Sequence, residues 1–384
     1  MMLRILVIGG YGVFGGRLTR LLADENGLTI LVAGRSKAKA EGFCRTVTGK
    51  ATVLPEFFDR DADVAGSIER LQPDIVVDAA GPFQGYGDRP YRTVEAALAG
   101  CADYIDLADA TKFVCGIDQF DQLACQRGRF VISGASTSPS LTAAVVRHLA
   151  ADLADVVSIE AGITPSPHVR VGLSLMAAIT SYAGRPLRVL QGGKQTEAVA
   201  FVDSRRHVIA PAGVRPLDKR LFSLVDVPDL QLLPAVWPKL ESVWFGAGTA
   251  PVVEHRMFVL LARLSSIGVL GPLDWLAPVM HRLRELPTWG ARRGGMYVVI
   301  EGRRNDGTSV RRAWDLIAEG DDGPFIPAMA AAGLIRRLRN GQRPAPGARA
   351  AVAEPDYEDF EHFFAQKAIV TGVRELPAVV KAAR

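Results

Sequence analysis

The chain has 384 residues, 48% of them hydrophobic and 22% charged, an ordinary globular composition with length enough for two cores. Its 45 basic and 41 acidic residues leave a net charge of only +4, and the arginines are dispersed rather than gathered among aromatics, which excludes a nucleic-acid-binding class. Four cysteines (Cys44, Cys101, Cys115 and Cys125) contain no C-x-x-C pair, so they read as reduced thiols of a cytoplasmic protein; the first strand begins by residue 3, so no signal peptide is expected.

The first element is a short apolar strand, Arg4–Ile8, followed by a glycine turn and a helix expected over about residues 12–23. Gly10, Gly12 and Gly15 fall on G-x-G-x-x-G, with Tyr11, Val13 and Phe14 between them. In a dinucleotide site the first glycine permits the turn, the second admits a pyrophosphate, and the third lets helix and strand approach. The helix N-terminus then offers amides and a partial positive charge to that anion. The competing reading is an ordinary strand-to-helix turn.

Strand 2 is expected at Thr29–Ala33, with a helix from Ser36, and strand 3 at Ala51–Leu54, with a helix over 63–71. Strand 4, Ile75–Ala80, ends at Gly81-Pro82, where proline stops the ladder. A helix over 90–99, strand 5 at Tyr104–Leu107 and strand 6 at Phe130–Ser133 complete the alternation. The fold class is therefore α/β: a Rossmann doubly wound parallel sheet, with ligands expected at the C-terminal ends of its strands. Beyond residue 150 the pattern changes. Val156–Ile163 reads as a strand, 170–183 as an apolar helix or strand-helix, and Gly295–Arg303 with Thr308–Ala318 as an antiparallel hairpin around Asn305-Asp306-Gly307. A helix at Ile326–Leu338, a polar Pro/Gly/Ala stretch over 341–354 and an amphipathic tail over 356–368 follow. We divide the chain into a dinucleotide-binding domain (1–140), an α+β substrate and dimerisation domain with a mixed or antiparallel sheet (141–325), and a C-terminal segment (326–384) returning to the first domain. An apolar insert, 257–286, reads as two short helices joined by a glycine-proline turn. Arg263, Asp274 and His281 interrupt it, so it is no transmembrane span. It is assigned to a core, a dimer interface or peripheral contact with a lipid surface.

The position that carries an acidic residue in NAD-binding folds, about twenty residues past the glycines, is here Gly34, followed by Arg35-Ser36-Lys37. A guanidinium fork and a hydroxyl suit a 2′-phosphate, so the expected cofactor is NADP rather than NAD. The alternative is that Arg35 and Lys37 are merely the solvated first turn of a helix.

The opening Ile5–Gly15, the segment Val77-Asp78-Ala79-Ala80-Gly81-Pro82-Phe83 with Gly85-Tyr86-Gly87, the run Tyr104–Asp109 and Ser133–Ser140 resemble the saccharopine dehydrogenase family over about residues 3–150. The later hairpin and Gly323–Pro327 are more similar to the family's oxidoreductase-like members of unassigned substrate than to its lysine-pathway enzymes. The resemblance implies a Rossmann domain with a substrate and dimerisation domain, a homodimer, and NAD(P)-dependent chemistry, often at a carbon–nitrogen bond.

Hydride transfer needs positioning and a proton, not a protein nucleophile. Ala80, Gly81, Pro82 and Phe83 leave strand 4 at the ligand edge and are expected beside the cofactor, as is Asp59 past strand 3. Tyr86, Asp88 and Arg89 share that loop. Asp106 and Asp109, ending strand 5, are the candidate acid–base carboxylates, and Lys112 a candidate acid or anchor; a helix cap for Asp109 and a surface charge for Lys112 are the alternatives. His168, in a proline-flanked loop, is a fourth candidate. No histidine has metal-ligand spacing, so no metal is expected, and no Ser/His/Asp set stands in a G-x-S-x-G elbow. The expected activity is hydride transfer to or from a C=N, C=O or conjugated C=C bond of a small or lipid-like substrate. A non-catalytic NADP-binding sensor or scaffold is the alternative, favoured by the lack of a Tyr-x-x-x-Lys pair; a membrane-surface lipid oxidoreductase is another.

Overall fold

The computed structural model describes residues 2–169, 172–217, 220–249, 252–283 and 290–377. Residues 170–171, 284–286 and 378–384, which belong to the expected strand-helix, apolar insert and C-terminal segment, lie outside the described residues. The chain forms two compact units, Met1–Leu141 with Pro324–Phe363, and Thr142–Gly323 with Phe364–Arg384.

The first unit alternates β1 (Leu3–Ile8), α1 (Gly15–Leu22), β2 (Leu28–Gly34), α2 (Lys37–Cys44), β3 (Thr52–Phe57), α3 (Val64–Leu71), β4 (Ile75–Asp78), α4 (Arg92–Ala99), β5 (Asp103–Asp106), α5 (Thr111–Cys115), α6 (Asp121–Gln126) and β6 (Phe130–Ser133). The strands pair in parallel in the order β3-β2-β1-β4-β5-β6. This is the doubly wound order whose direction reverses between β1 and β4, where such sheets bind ligands. The central strands are apolar runs buried on both faces, as a parallel sheet covered by helices requires. Each fully buried Ile, Leu or Val side chain of β1 stabilises the sheet by roughly 1.5–3 kcal/mol. β3 lies at the edge and carries Pro55, which an edge strand tolerates because proline cannot donate to a second neighbour. Asp63 caps α3 by accepting the Gly66 amide at 2.9 Å.

The second unit contains α7 (Thr142–Leu149), β7 (Asp155–Thr164), α8 (Leu173–Tyr182), β8 (Pro186–Gln191), β9 (Lys194–Val199), β10 (Ser204–His207), β11 (Arg220–Leu224), α9 (Asp229–Val236), β12 (Ser242–Ala247), α10 (Val252–Ser266), α11 (Leu276–Leu283), β13 (Arg293–Arg303) and β14 (Ser309–Glu319). The expected hairpin is present, with Gly295 opposite Ile317 and Arg303 opposite Ser309. Gly307 takes φ +83° at its turn, and the Asp306 carboxylate accepts the Thr308 amide at 2.8 Å. The apolar insert forms two helices, α10 and α11, with Gly268 and Gly271-Pro272 between them as expected, and α10 begins at Val252, ahead of the expected start.

The chain then contributes α12 (Ile326–Arg339), β15 (Gly347–Ala350) and α13 (Tyr357–Phe364). β15 pairs in parallel with β6 as the seventh strand of the first sheet, in a stretch whose composition reads as loop. β16 (Ile369–Leu376) joins the second sheet, whose order is β10-β11-β12-β7-β13-β14-β16. All its pairings are antiparallel except β12 with β7. The molecule is thus α/β, with a Rossmann sheet and a second, mixed sheet.

Candidate functional site at the reversal of the first sheet

The glycine turn follows β1 at the point where strand order reverses. The positive φ falls on Gly9 (+74°), one residue before the glycine expected to make the turn. A Cβ on Gly9 would lie 2.9 Å from the Ala79 oxygen and from Ala80 Cα, so the loops after β1 and β4 touch here. A Cβ on Gly15 would stand 2.3 Å from the Gly9 oxygen and 2.9 Å from Gly10 Cα, which fixes how closely α1 approaches the turn. Gly10 donates to Ala33 O at 3.0 Å, and Gly12 to Gly9 O at 2.8 Å. Among the described residues, the amides of Tyr11, Val13, Phe14 and Gly15 donate to no protein acceptor. They stand at the N-terminal end of α1, which has no acidic residue in its first turn. Such an arrangement of unpaired donors attracts an anion.

At the end of β2, Tyr11 reaches across from the glycine turn. A Cβ on Gly34 would meet its ring at 2.6–2.7 Å, and its hydroxyl accepts the Ser36 amide at 3.0 Å. The Ser36 hydroxyl caps α2, accepting the Lys39 amide at 3.3 Å. Arg35 and Lys37 are exposed, and among the described residues neither forms an ion pair. Asp59, past β3, is half-buried and accepts the Asp61 amide at 3.0 Å.

The ends of β4 and β5 carry two carboxylates side by side, Asp78 opposite Asp106 in register, both fully buried. Asp78 accepts the Ala80 amide and the Tyr86 hydroxyl, each at 3.0 Å. Burial raises its pKa, against the opposing pull of the Ala80 amide, the Tyr86 hydroxyl and the Arg60 guanidinium. Asp106 accepts the Ala108 amide at 3.0 Å and the Gly134 amide at 2.8 Å, tying together the loops after β5 and β6. Burial pushes its pKa up to about 7; those two amides oppose the rise and Asp78 adds to it. Arg60 lies over the Tyr86 ring, 3.2 Å from its centroid, and burial beside Asp78 drives the Tyr86 phenol far above its ordinary pKa. The Tyr104 hydroxyl lies in the same buried cluster, its pKa raised by burial, Asp106 and Asp78.

The sequence-derived candidates therefore separate. The Phe83 ring is 6% exposed and packs against Tyr86 at 4.7 Å and Phe113 at 4.9 Å, so its neighbours Ala80, Gly81 and Pro82 are what this loop presents at the edge. Tyr86, grouped by sequence with substrate-reaching residues, is instead 8% exposed and bonded to Asp78. Asp88 and Arg89 are exposed, the latter paired with Glu95 at 3.0 Å. Asp106 is enclosed, whereas Asp109 and Lys112 are exposed, and Gln84 donates to Asp109 at 3.3 Å. His168 belongs to the second unit, after β7, its Nε2 2.9 Å from the Gly290 oxygen. Among the described residues no group of three His, Cys, Asp or Glu is placed to hold a metal, and no helix is long and apolar enough to cross a membrane. Sequence reasoning missed Gly9, Arg60, Asp78 and Tyr104. Only Asp78 carried a signal, a charged residue closing an otherwise apolar strand.

No family model matches the chain, and no curated protein matches it. Among solved structures it is similar to a six-substitution mutant of the meso-DAPDH of Clostridium tetani with DAP, at 11% identity over 95% of this chain and 99% of that one, TM-score 0.45. Biliverdin reductase of Synechocystis, in complex with biliverdin and NADP+, is similar at 11% identity over 89% and 92%, TM-score 0.37. Apo saccharopine dehydrogenase (L-Glu forming) of Saccharomyces cerevisiae is similar at 13% identity over 98% of this chain and 100% of that one, with a TM-score of 0.68. The fold is thus saccharopine-dehydrogenase-like, in agreement with the resemblance of residues 3–150.

Proposed function

We propose that the protein is an NADP-dependent oxidoreductase acting on a C=N, C=O or conjugated C=C bond. The observation that carries the reading is the set of four undonated amides, Tyr11, Val13, Phe14 and Gly15, at the sheet reversal. The residues fit the cofactor: Gly9, Gly10, Gly12 and Gly15 put no side chain in the way of a pyrophosphate, and Arg35, Ser36 and Lys37 offer cations and a hydroxyl to a 2′-phosphate. NADP supplies or accepts the hydride. In this reading Ala80, Gly81 and Pro82 form the wall beside the nicotinamide half, held by the Asp78 bond to the Ala80 amide. Asp109 and Lys112, exposed after β5, are the groups that take up or deliver the accompanying proton, while enclosed Asp106 positions their loop. We assign substrate binding and dimerisation to the second unit.

Fluorescence titration with NADPH and NADH, on wild type and Arg35→Ala, tests this. Tighter binding of NADPH, weakened about 10- to 100-fold by the substitution with NADH unaffected, is the expected result. Equal affinities untouched by the substitution remove the NADP assignment, and binding of neither nucleotide removes the whole reading. Label lost from deuterated NADPH into a metabolite of cell extract separates an enzyme from a sensor.

A second reading concerns the helices of the second unit. Val253, Met257 and Leu260 form one exposed apolar face of α10, with Arg256 and Arg263 flanking it seven residues apart on one side, and Ile267, Val269 and Trp275 in the chain that follows are exposed as well. An apolar stripe with a basic flank and an exposed tryptophan suits an anionic lipid surface. Flotation with phosphatidylglycerol vesicles, lost in Met257→Glu/Leu260→Glu, supports it; absence of co-flotation removes it.

A further inference from the structure

We propose that Tyr11 sets which dinucleotide the site accepts, its ring filling the place of a carboxylate at the end of β2 and its hydroxyl donating to a 2′-phosphate. The inference rests on the dinucleotide reading above. A carboxylate at the second strand's end is what recognises the ribose hydroxyls of NAD in this type of fold. Here that position is Gly34, and a Cβ on it would lie 2.6 Å from Tyr11 Cε1 and 2.7 Å from Cζ and Oη. These are atoms of a rigid ring held at both ends. Its backbone sits in a turn pinned by the Gly10-to-Ala33 and Gly12-to-Gly9 bonds, and its hydroxyl is pinned by the Ser36 amide. The ring and a carboxylate side chain at position 34 therefore exclude each other.

The hydroxyl has a second consequence. A phenol that accepts one hydrogen bond still has its own proton to donate. Among the described residues no protein group accepts it, and the residues that follow at the β2 end are Arg35, Ser36 and Lys37, two cations and a hydroxyl. Such a group of donors is completed by an acceptor carrying negative charge, which NADP has at the 2′ position and NAD lacks.

The test uses the full chain as wild type, Tyr11→Phe, Gly34→Asp and Tyr11→Ala/Gly34→Asp, with Kd for NADPH and NADH by fluorescence and folding checked by circular dichroism. Tyr11→Phe is expected to weaken NADPH about tenfold and leave NADH unchanged. Gly34→Asp is expected to weaken both nucleotides, and the double variant to recover NADH alone, inverting the preference. If Gly34→Asp binds NADH as well as the double variant does, or Tyr11→Phe shifts both nucleotides equally or neither, the inference fails. Wild type binding neither nucleotide would instead overturn the underlying reading. Should Gly34→Asp fail to fold, Tyr11→Phe decides by itself.

Discussion

Replacing Asp106 by Asn removes a buried charge while keeping an acceptor for the Ala108 and Gly134 amides, and the structure sets the size of the effect. The carboxyl is wholly buried and its pKa rises from 3.8 in the unfolded chain to about 7 in the fold. Between those values the native state holds a proton that the unfolded chain has lost, so stability falls as pH rises. At about 1.4 kcal/mol per pH unit the whole loss is about 4 kcal/mol, of which about 2–3 kcal/mol falls between pH 5 and 8. Asn carries no such charge, so Asp106→Asn should gain on wild type by that amount as pH rises from 5 to 8. All five tryptophans lie between residues 237 and 314, in the second unit, so their fluorescence follows the other half of the molecule. Urea unfolding read by pulsed hydrogen exchange of peptides covering β4–β6 follows the first unit instead. Apart from Asp78, whose charge is coupled to that of Asp106, the titrating groups are common to both proteins, and the difference between the two stability curves reports this pair. A difference that stays constant from pH 5 to 8 refutes the argument, because Asp106 would then be ionised in both states or in neither.

Gly15→Ala places a Cβ 2.3 Å from the Gly9 oxygen, and both neighbours are backbone that cannot turn aside. A loss of about 1–3 kcal/mol by thermal melting is expected, together with loss of nucleotide binding in the titration, since the turn itself must move. His255, buried between the Ser223 and Thr249 hydroxyls at 2.8 and 3.2 Å, has its pKa lowered by burial to about 4. Here the unfolded chain takes up the proton first, so stability is lost as pH falls from about 6.5 to 4, by about 3 kcal/mol. His255→Gln should flatten that acid limb in urea titrations read by tryptophan fluorescence, and an unchanged slope would contradict the assignment.

The parts of the fold that were legible in sequence are those whose own residues fix their structure. β1, β4 and β6 are short apolar runs closed by glycine or proline, and the β13–β14 hairpin combines alternation with an Asp-Gly turn. β15 is Gly-Ala-Arg-Ala, poor in strand-forming residues; it is a strand because β6 offers an open edge and because Asp121 and the Arg129 carbonyl accept its first amides. β9 and β10, Lys-Gln-Thr-Glu-Ala-Val and Ser-Arg-Arg-His, owe their pairing to neighbouring strands and carry too little apolar patterning to announce it.

The same division runs through the site. A glycine turn constrains backbone and is visible as spacing, although the residue at positive φ proved to be Gly9 rather than Gly10. The run Asp106-Leu107-Ala108-Asp109 offers two carboxylates that composition cannot distinguish, yet one is enclosed with a pKa near 7 and the other exposed. What separates them is direction. Asp106 is the last residue of β5 and turns under the edge to bind two loop amides, whereas Asp109 lies beyond the strand. Tyr11 follows the same logic: it reads as filler within a glycine motif until Gly34, twenty-three positions later, is seen to lack the side chain that Tyr11 replaces. Selectivity at such a site is a property of that pair, and a change at either residue alters what the other can do.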